Sequence, residues 1–537
     1  MNAVGTLLRL RWRRDRVQVP VWVVVIALTC LLIAVDIADT FNTQALRIAA
    51  VQTFASNPTL LALRGAPDGA SAGAFFWVEI GSYLALLVAF MNSFLAVRHT
   101  RADEEAGRAE LIVATRAGRG SSTIATVLLA VIANVGVAVL SGLAMMAAGF
   151  DAAGSFALGW ALGTTGIVFF GIGLLFAQIF STSRAANGWG TAAIGVAWVL
   201  NAAGAATGTA SPDGLHVTPG AAAWFTPIGW ATSARPFTAD LLWPGLLSIG
   251  LAIVLVVLAL VLQRVRDTGS GLVAARAGRA VASSSLAGPI GLAWRLQRGS
   301  IIGWGIGAVL GAGLVGGLGK TLETAAKDSP QLGKLVDSVG NGSGTILEVF
   351  LGVMMTLIGL LVAGAAIQTM MRLRQEEAAG TAEIVLVTRV SRLRWYLSYV
   401  VVAIVAAAVI LIIAGVVAGA TLSNIDGALF GQAIVLAVAQ LPAVAVFLAI
   451  AALAFALVPA ATIPVGWAIF GVGVVLGEFG NLFGFPDWVI QIAPNSHTVS
   501  APLAGADWSG TWVLSAIAVI VVAAAAWLFR IRDLRTG

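Results

Sequence analysis

Long apolar runs constrain this chain more than any other feature of its sequence. Of its 537 residues, 59% are hydrophobic and only 10% are charged, whereas a soluble domain carries about 25% charged residues. The apolar residues come in runs of about 20, the length at which a helix crosses the hydrocarbon core of a bilayer. The runs predict an all-α membrane protein with about 12 transmembrane helices. We expect these helices at 19–37, 73–97, 122–149, 154–181, 187–206, 242–263, 301–318, 345–371, 396–421, 427–457, 461–479 and 511–530.

The first run, 19–37, follows a basic stretch that ends at Arg16, which is also the pattern of a signal peptide. The run is too long for the apolar core of an ordinary signal peptide, and no small-x-small cleavage site clearly follows it. We therefore expect a retained first helix. Cys30 lies inside this run and is the only cysteine, which excludes an intrachain disulfide and a thiolate metal site.

Lysine and arginine are distributed unequally between the two sides of the membrane. When the runs are placed in order, 25 of the 31 Lys and Arg residues fall on the side of the two termini, and 6 fall on the other side. Cytoplasmic loops carry the basic excess. We therefore expect a multi-pass protein of the bacterial plasma (inner) membrane with both termini in the cytoplasm. The pI of about 10.2 does not indicate a nucleic-acid partner, because the basic residues lie beside apolar runs and form no solvated patch.

The two halves of the chain are related to each other. Residues 101–119 read RADEEAGRAELIVATRAGR and residues 374–392 read RQEEAAGTAEIVLVTRVSR, with nine identities in 19 ungapped positions. The identical residues of the first copy are Arg101, Glu104, Ala106, Gly107, Ala109, Glu110, Thr115, Arg116 and Arg119. Both segments follow the second apolar run of their half, so they indicate an internal repeat.

Shorter matches support this repeat. The sequence RVRD at 264–267 follows the sixth run, and RIRD at 530–533 follows the twelfth. Because each half has an even number of helices, the two six-helix repeats are parallel, related by an axis along the membrane normal. We expect a first half at 1–267, a cytoplasmic linker at 268–290 and a second half at 291–537.

The two charged segments, 101–119 and 374–392, are candidates for docking another protein. Glutamates and arginine alternate with small residues ahead of a short apolar run. Such a helix can lie on the membrane surface with its carboxylates toward the cytosol, while Gly107 and Gly380 permit close approach of another backbone. The alternative is a solvated loop whose charges only satisfy the excess of cytoplasmic basic residues. That alternative explains the arginines but not the recurring Glu, Gly and Glu.

These features resemble a known family of membrane permeases. A basic amphipathic N-terminal segment, six apolar runs and a Glu-x-Ala-Gly-x-x-Glu-Leu sequence after the second run resemble the ABC-2 class of ABC transporter permeases. The similarity is greatest to the fused, double-length actinobacterial exporters of drugs and polyketide antibiotics. It implies an ABC-2 (ABCG-like) exporter fold in which each charged segment is a coupling helix. The residues that match the coupling helix by position are Glu104, Gly107, Arg108, Glu110, Glu377, Gly380 and Glu383.

The resemblance also implies partners and cofactors. Two copies of a separate ABC ATPase subunit would bind the two segments, and ATP and Mg would be held on the ATPase, with no cofactor on this chain. The second segment departs from the first at Thr381, where the first has Arg108, so the two docking surfaces are expected to differ. The implied substrates are hydrophobic or amphipathic compounds such as drugs, polyketide antibiotics or lipids. A glycine-rich run at 313–321 looks like a phosphate-binding loop, but it has Leu314 where the motif requires glycine.

Acidic and aromatic residues within the runs are candidates for a substrate cavity. Glu79 and Glu348 lie toward the outer ends of the second and eighth runs, and an acid within a membrane helix usually marks a functional site. The pair can meet a cationic substrate or change protonation; alternatively, each carboxylate reaches the outer headgroups. Aromatic residues are candidates for an apolar wall, although packing against lipid is equally consistent with Phe76, Tyr83, Phe90, Trp198, Phe350, Trp467 and Phe470.

Two other functions compete with an exporter permease. A proton-coupled secondary multidrug antiporter also has two parallel six-helix bundles, but its loop after the second helix is usually short and carries a Gly-x-x-x-Asp-Arg pattern. Here that loop spans 98–121 and has no such pattern. A membrane enzyme acting on lipid-linked substrates would need a cluster of His, Asp or Ser at a membrane face, which the sequence does not offer. We therefore expect a transporter permease rather than an enzyme.

Overall fold

Most of the described part of the chain is helical. The computed structural model describes residues 3–115, 118–273, 281, 283, 286, 288–328, 345–480, 485–499, 503 and 505–533. Within these residues, 12 helices are long and apolar enough to cross a membrane, which confirms the predicted all-α membrane protein. The chain divides into two compact units, residues 1–277 and 278–537.

The first unit contains six membrane-crossing helices and several short helices around them. Its helices are α1 (Ala3–Asp15), α2 (Gln18–Thr40), α3 (Gln44–Ser56), α4 (Pro58–Arg64), α5 (Ala72–Arg98), α6 (Arg101–Glu105), α7 (Arg108–Val113), α8 (Gly118–Ala147), α9 (Ala152–Ile179), α10 (Ser183–Ala206), α11 (Pro227–Thr232) and α12 (Trp243–Val265). An antiparallel hairpin of β1 (Thr209–Ala210) and β2 (Val217–Thr218) lies between α10 and α11.

The core of the first unit forms around α5 and α9. The α9 helix packs along α5, α8 and α12, and small residues let these helices approach closely. A Cβ atom added at Gly159 would lie 2.1 Å from the carbonyl oxygen of Ala138, and one added at Gly163 would lie 2.9 Å from that of Asn134. Glycine on α9 therefore sets how closely α8 can pack.

The second unit has the same order of membrane helices. It contains α13 (Pro289–Asp328), α14 (Ile346–Ala378), α15 (Thr381–Leu386), α16 (Arg392–Leu422), α17 (Leu429–Ala439), α18 (Leu441–Leu457), α19 (Thr462–Phe479), α20 (Asp487–Ile490) and α21 (Ser509–Ile531). The α13 helix packs along α16, and α18 packs along α14 and α21.

Two helices differ from the boundaries that the sequence predicts. The seventh was expected at 301–318, but α13 begins at Pro289 and runs on to Asp328, so its basic N-terminal part is continuous with the apolar part. The tenth, expected as one helix over 427–457, is interrupted at Gln440, where α17 ends and α18 begins. Pro442 lies in the first turn of α18, where its missing N–H group and fixed φ angle are tolerated.

Candidate functional site

Each charged segment forms a corner between two helices. In the first unit, α6 and α7 meet at Gly107, whose φ and ψ angles are 69° and −1°. In the second unit, α14 and α15 meet at Gly380, with angles of 72° and −2°. This left-handed backbone conformation is where glycine replaces other residues at least cost.

The glycines are therefore explained by backbone conformation. A Cβ atom added to Gly107 or Gly380 would meet no atom of the described residues within 4 Å. The close approach of a docking partner's backbone to these glycines stays a prediction. The repeat preserves the shape of the corner.

The two expected docking glutamates at the start of the motif are enclosed. The Glu104 side chain is 7% exposed and pairs with Arg101 and with Arg266. Glu377 is fully buried, and both of its oxygens accept from Nη2 of Arg532, at 3.0 and 2.9 Å. The prediction that these carboxylates face the cytosol is wrong, because arginines from the last helix of each unit reach them. Glu104 and Glu377 position the charged segments.

The departure at Thr381 keeps an equivalent contact. In the first segment, Arg108 donates to Asp103, with a distance of 2.9 Å from Nε to Oδ1. In the second, Thr381 donates to Glu376, with a distance of 2.5 Å from Oγ1 to Oε2. The donor follows the acceptor by five residues in both cases, so each pair braces its corner. Asp103 also accepts from Arg14 of α1 at 2.7 Å.

The exposed face of each segment lies just after the corner. Glu110 and Glu383 are exposed, as predicted for docking residues. Each is followed by an exposed aliphatic side chain, Leu111 at 74% and Ile384 at 73%. Val387, also in the second segment, is 88% exposed. A carboxylate beside an uncovered aliphatic group can dock on a protein surface that has an apolar pocket and a basic rim.

The sequence contained a signal for this face that identity alone did not reveal. Leu111 and Ile384 occupy the same position of the repeat but are not identical. Because both are large and aliphatic, a comparison of residue size and polarity would have added them to the candidate residues.

Glu79, one of the two membrane acids, is paired. Its carboxylate forms an ion pair with Arg64 at the end of α4. The Arg64 guanidinium also lies over the ring of Phe54, 4.9 Å from its centroid. The sequence placed no cation near Glu79, because Arg64 lies in what looked like an outer loop. The ion pair satisfies the charge that was expected to meet a substrate.

Glu348, the other acid, caps a helix. One carboxylate oxygen accepts from the backbone N–H of Thr345 at 2.8 Å, and the Thr345 hydroxyl accepts from the backbone N–H of Glu348 at 3.3 Å. This is a capping box at the start of α14. The other oxygen accepts from Gln432 at 2.9 Å. Glu348 therefore fixes the N-terminal end of α14.

The aromatic residues predicted for a substrate wall fall into separate clusters. In the first unit, Phe76 is fully buried in the main core, whereas Phe90 and Trp198 pack against a smaller cluster. Tyr83 is half-buried. The second unit places Phe350 against its main core, and Trp467 and Phe470 form an edge-to-face pair with centroids 5.8 Å apart.

Two apolar grooves lie elsewhere in the units. One of about 390 Å³ is formed by α8, α9 and α12 and includes Val131, Asn134 and Trp160. The other, of about 620 Å³, lies between α13 and α16. None of the nine residues predicted for the substrate cavity lines either groove. These two grooves could not be predicted from the sequence, because ordinary apolar helix faces line them.

A buried charge cluster fixes α1 in the first unit. Asp15 is fully buried, with one oxygen 2.5 Å from Nε2 of His99 and the other 2.9 Å from Arg98. Burial raises the pKa of Asp15, but the hydrogen bond and charge of His99 and the charge of Arg98 outweigh it and leave the pKa lowered. Burial lowers the pKa of Arg11 to about 10. Near the start of each unit, Arg13, Arg16 and Trp22 match Arg295, Arg298 and Trp304. This alignment places Gln297 at the position of Asp15, so the repeat did not reveal this cluster.

The glycine-rich run does not have the surroundings of a phosphate-binding loop. The glycine-rich run from Gly313 to Thr321 lies inside α13, whereas a phosphate-binding loop follows a strand and opens a helix. The described part of the chain has no group of three or more His, Cys, Asp or Glu side chains that could hold a metal ion.

Comparison with known proteins gives two matches. Residues 286–530 match the family model described as "Multidrug efflux system permease Rv1217c, C-terminal domain". The chain is also 34% identical, over 537 residues, to the multidrug efflux system permease protein Rv1217c of Mycobacterium tuberculosis (strain ATCC 25618 / H37Rv). That alignment covers 98% of this chain and 95% of the relative.

Proposed function

The chain belongs to the family of the multidrug efflux system permease Rv1217c, and from this premise we propose that it is the membrane permease of an ATP-driven ABC exporter of the ABC-2 type. The exported compounds are hydrophobic or amphipathic, such as drugs, polyketide antibiotics or lipids. ATP and Mg are held by two copies of a separate ATPase subunit. The chain lies in the bacterial inner membrane with both termini in the cytoplasm.

The observation that carries this proposal is the repeated corner with its exposed face. Two segments of one chain share a glycine in the left-handed conformation, a carboxylate paired to a distant arginine and an exposed Glu-Leu or Glu-Ile pair. Burial of Leu111 and Ile384 against a partner would contribute to binding, because each exposes most of a large aliphatic side chain. Two such surfaces on one chain suit two copies of one partner.

The membrane carboxylates give no support to a proton-coupled antiporter. Such a carrier needs an acid that gains and loses a proton during transport. Glu79 is held in an ion pair with Arg64, and Glu348 is bound by the start of α14 and by Gln432. Both sets of contacts favour the ionised carboxylate, which does not suit a group that must take up a proton in every cycle.

Co-purification tests the proposal. The full chain, purified from the cells that make it, should be isolated with a separate ATPase in a ratio of one permease to two ATPase subunits, as read by native mass spectrometry. The chain alone should hydrolyse no ATP. ATP hydrolysis retained by the stringently purified chain would contradict the division of labour between the two proteins.

A further inference from the structure

One ion pair in each unit joins the charged segment to the end of the last membrane helix. Arg266 follows α12 and approaches Glu104, with 2.5 Å between Nη2 and Oε1. Arg532 follows α21 and approaches Glu377, with 2.9 Å between Nη2 and Oε2. We propose that these two ion pairs transmit movement of a docked ATPase from each charged segment to the last helix of the same unit. The inference rests on the proposed function, and it assigns Arg266 and Arg532 as positioning residues.

The enclosure of both pairs suits this role. The side chains of Arg266 and Arg532 are 2% and 12% exposed, so water and salt screen the attraction less than at a surface pair. The first arginine of each motif, Arg264 or Arg530, is exposed instead. The repeat thus supplies a matched pair of arginines two residues apart, and among the described residues the second of each pair contacts the charged segment.

Each of the two arginines pairs with the glutamate at the same position of its charged segment, but their other contacts differ. Arg266 also donates to the side chain of Gln178, with 2.9 Å between Nε and Oε1. Arg532 instead lies over the rings of Phe455 and Phe529, 5.0 and 5.3 Å from their centroids. Because the surroundings differ between the units while the Glu–Arg contact is the same, the contact itself is the repeated element. A side chain needed only to fill space at a helix end would not require the same acidic partner twice.

The position of the pair within the segment explains how force would pass. Glu377 lies in the last turn of α14, three residues before the corner at Gly380, and the exposed face follows at Glu383 and Ile384. A partner that moves the exposed face moves the six-residue helix α15 together with the last turn of α14, because Thr381 of α15 donates to Glu376 across the corner. The Glu377–Arg532 contact carries that displacement to the end of α21. Glu104 and Arg266 have the same relation to α7 and α12.

Substitution of the arginines separates transmission from docking. In proteoliposomes containing the full chain and its ATPase, Arg532→Gln and Arg266→Gln should keep ATPase binding and ATP hydrolysis. Drug transported per ATP hydrolysed should fall about tenfold, within the ordinary range of coupling between sites. The controls Arg530→Gln and Arg264→Gln should stay near wild type. Arg532→Lys, which keeps a charged contact, should recover part of the lost coupling.

A second measurement keeps the inference testable without transport. In the chain alone, hydrogen exchange of the backbone amides of 381–387 should be faster in Arg532→Gln than in Arg530→Gln. Wild-type coupling in a folded Arg532→Gln variant, or equal exchange in the two variants, would overturn the inference. If Arg532→Gln does not fold, the same comparison between Arg266→Gln and Arg264→Gln decides. Failure of wild type and both controls to bind any ATPase would instead refute the proposed function, and this inference with it.

Discussion

Alanine at Ile384 and at Leu111 should weaken ATPase binding without destabilising the chain. The two side chains are 73% and 74% exposed, and full burial of a leucine or isoleucine side chain contributes about 1.5–3 kcal/mol. If docking covers the exposed three quarters, each substitution should cost about 1–2 kcal/mol of binding free energy, because alanine keeps only one side-chain carbon. At about 1.4 kcal/mol for each factor of ten, the Kd for the ATPase should rise by about 5- to 30-fold per site.

Isothermal titration calorimetry with the permease in lipid nanodiscs measures the change in Kd directly. Titration with the purified ATPase gives the Kd, and thermal unfolding of the same sample shows that the fold is intact. Leu46→Ala is the matched control, since Leu46 is also exposed, at 48%, but lies on α3 in the predicted outer loop between α2 and α5. Wild-type Kd values for both Ile384→Ala and Leu111→Ala, with unchanged unfolding temperatures, would show that this face is not the docking surface.

Three further predictions follow from the buried and paired charges. Glu377→Lys should destabilise the second unit by about 3–5 kcal/mol, because it places a like charge against a buried arginine. Glu383→Lys should leave the unfolding temperature unchanged. Equal effects of the two substitutions would contradict the assignment of Glu377 as buried and Glu383 as exposed. Glu79→Gln should lower the unfolding temperature and alter transport of matched cationic and neutral drugs alike, since its charge is satisfied by Arg64; a selective loss of cation transport would restore Glu79 to a substrate cavity. Asp15→Asn should lower the free energy of unfolding at pH 7. The difference in this free energy between variant and wild type should narrow as the pH falls below about 4, because a carboxyl with a lowered pKa stabilises the folded state only while it is ionised. A difference independent of pH between 3 and 7 would contradict this role.

The sequence predicted the membrane helices because apolar length is a direct physical requirement of crossing a bilayer. Apolar length alone missed the interruption at Gln440, although Pro442, two residues later, is a sequence signal for a helix break. The early start of α13 was missed for the opposite reason. Its first turns carry arginine and glutamine, which a rule based on apolar length assigns to a loop.

The charged segments were found from the repeat, but the direction of their side chains was not. Glu104 pairs with Arg266 across 162 residues and Glu377 with Arg532 across 155 residues. One sequence gives no measure of such a contact, although both arginines lie in matching RVRD and RIRD motifs. The helix-capping role of Glu348 was also missed. Thr345 three residues before it completes the sequence pattern of a capping box, so its role at a helix start could have been predicted.

ATP-driven transport in inside-out proteoliposomes tests the central claim most directly. The chain and its ATPase are reconstituted together, a fluorescent amphipathic drug is supplied outside, and a protonophore collapses the proton gradient. We expect drug uptake that requires ATP and both proteins and that continues without a proton gradient. Uptake by the chain alone, driven by an imposed pH gradient and indifferent to ATP, would contradict it.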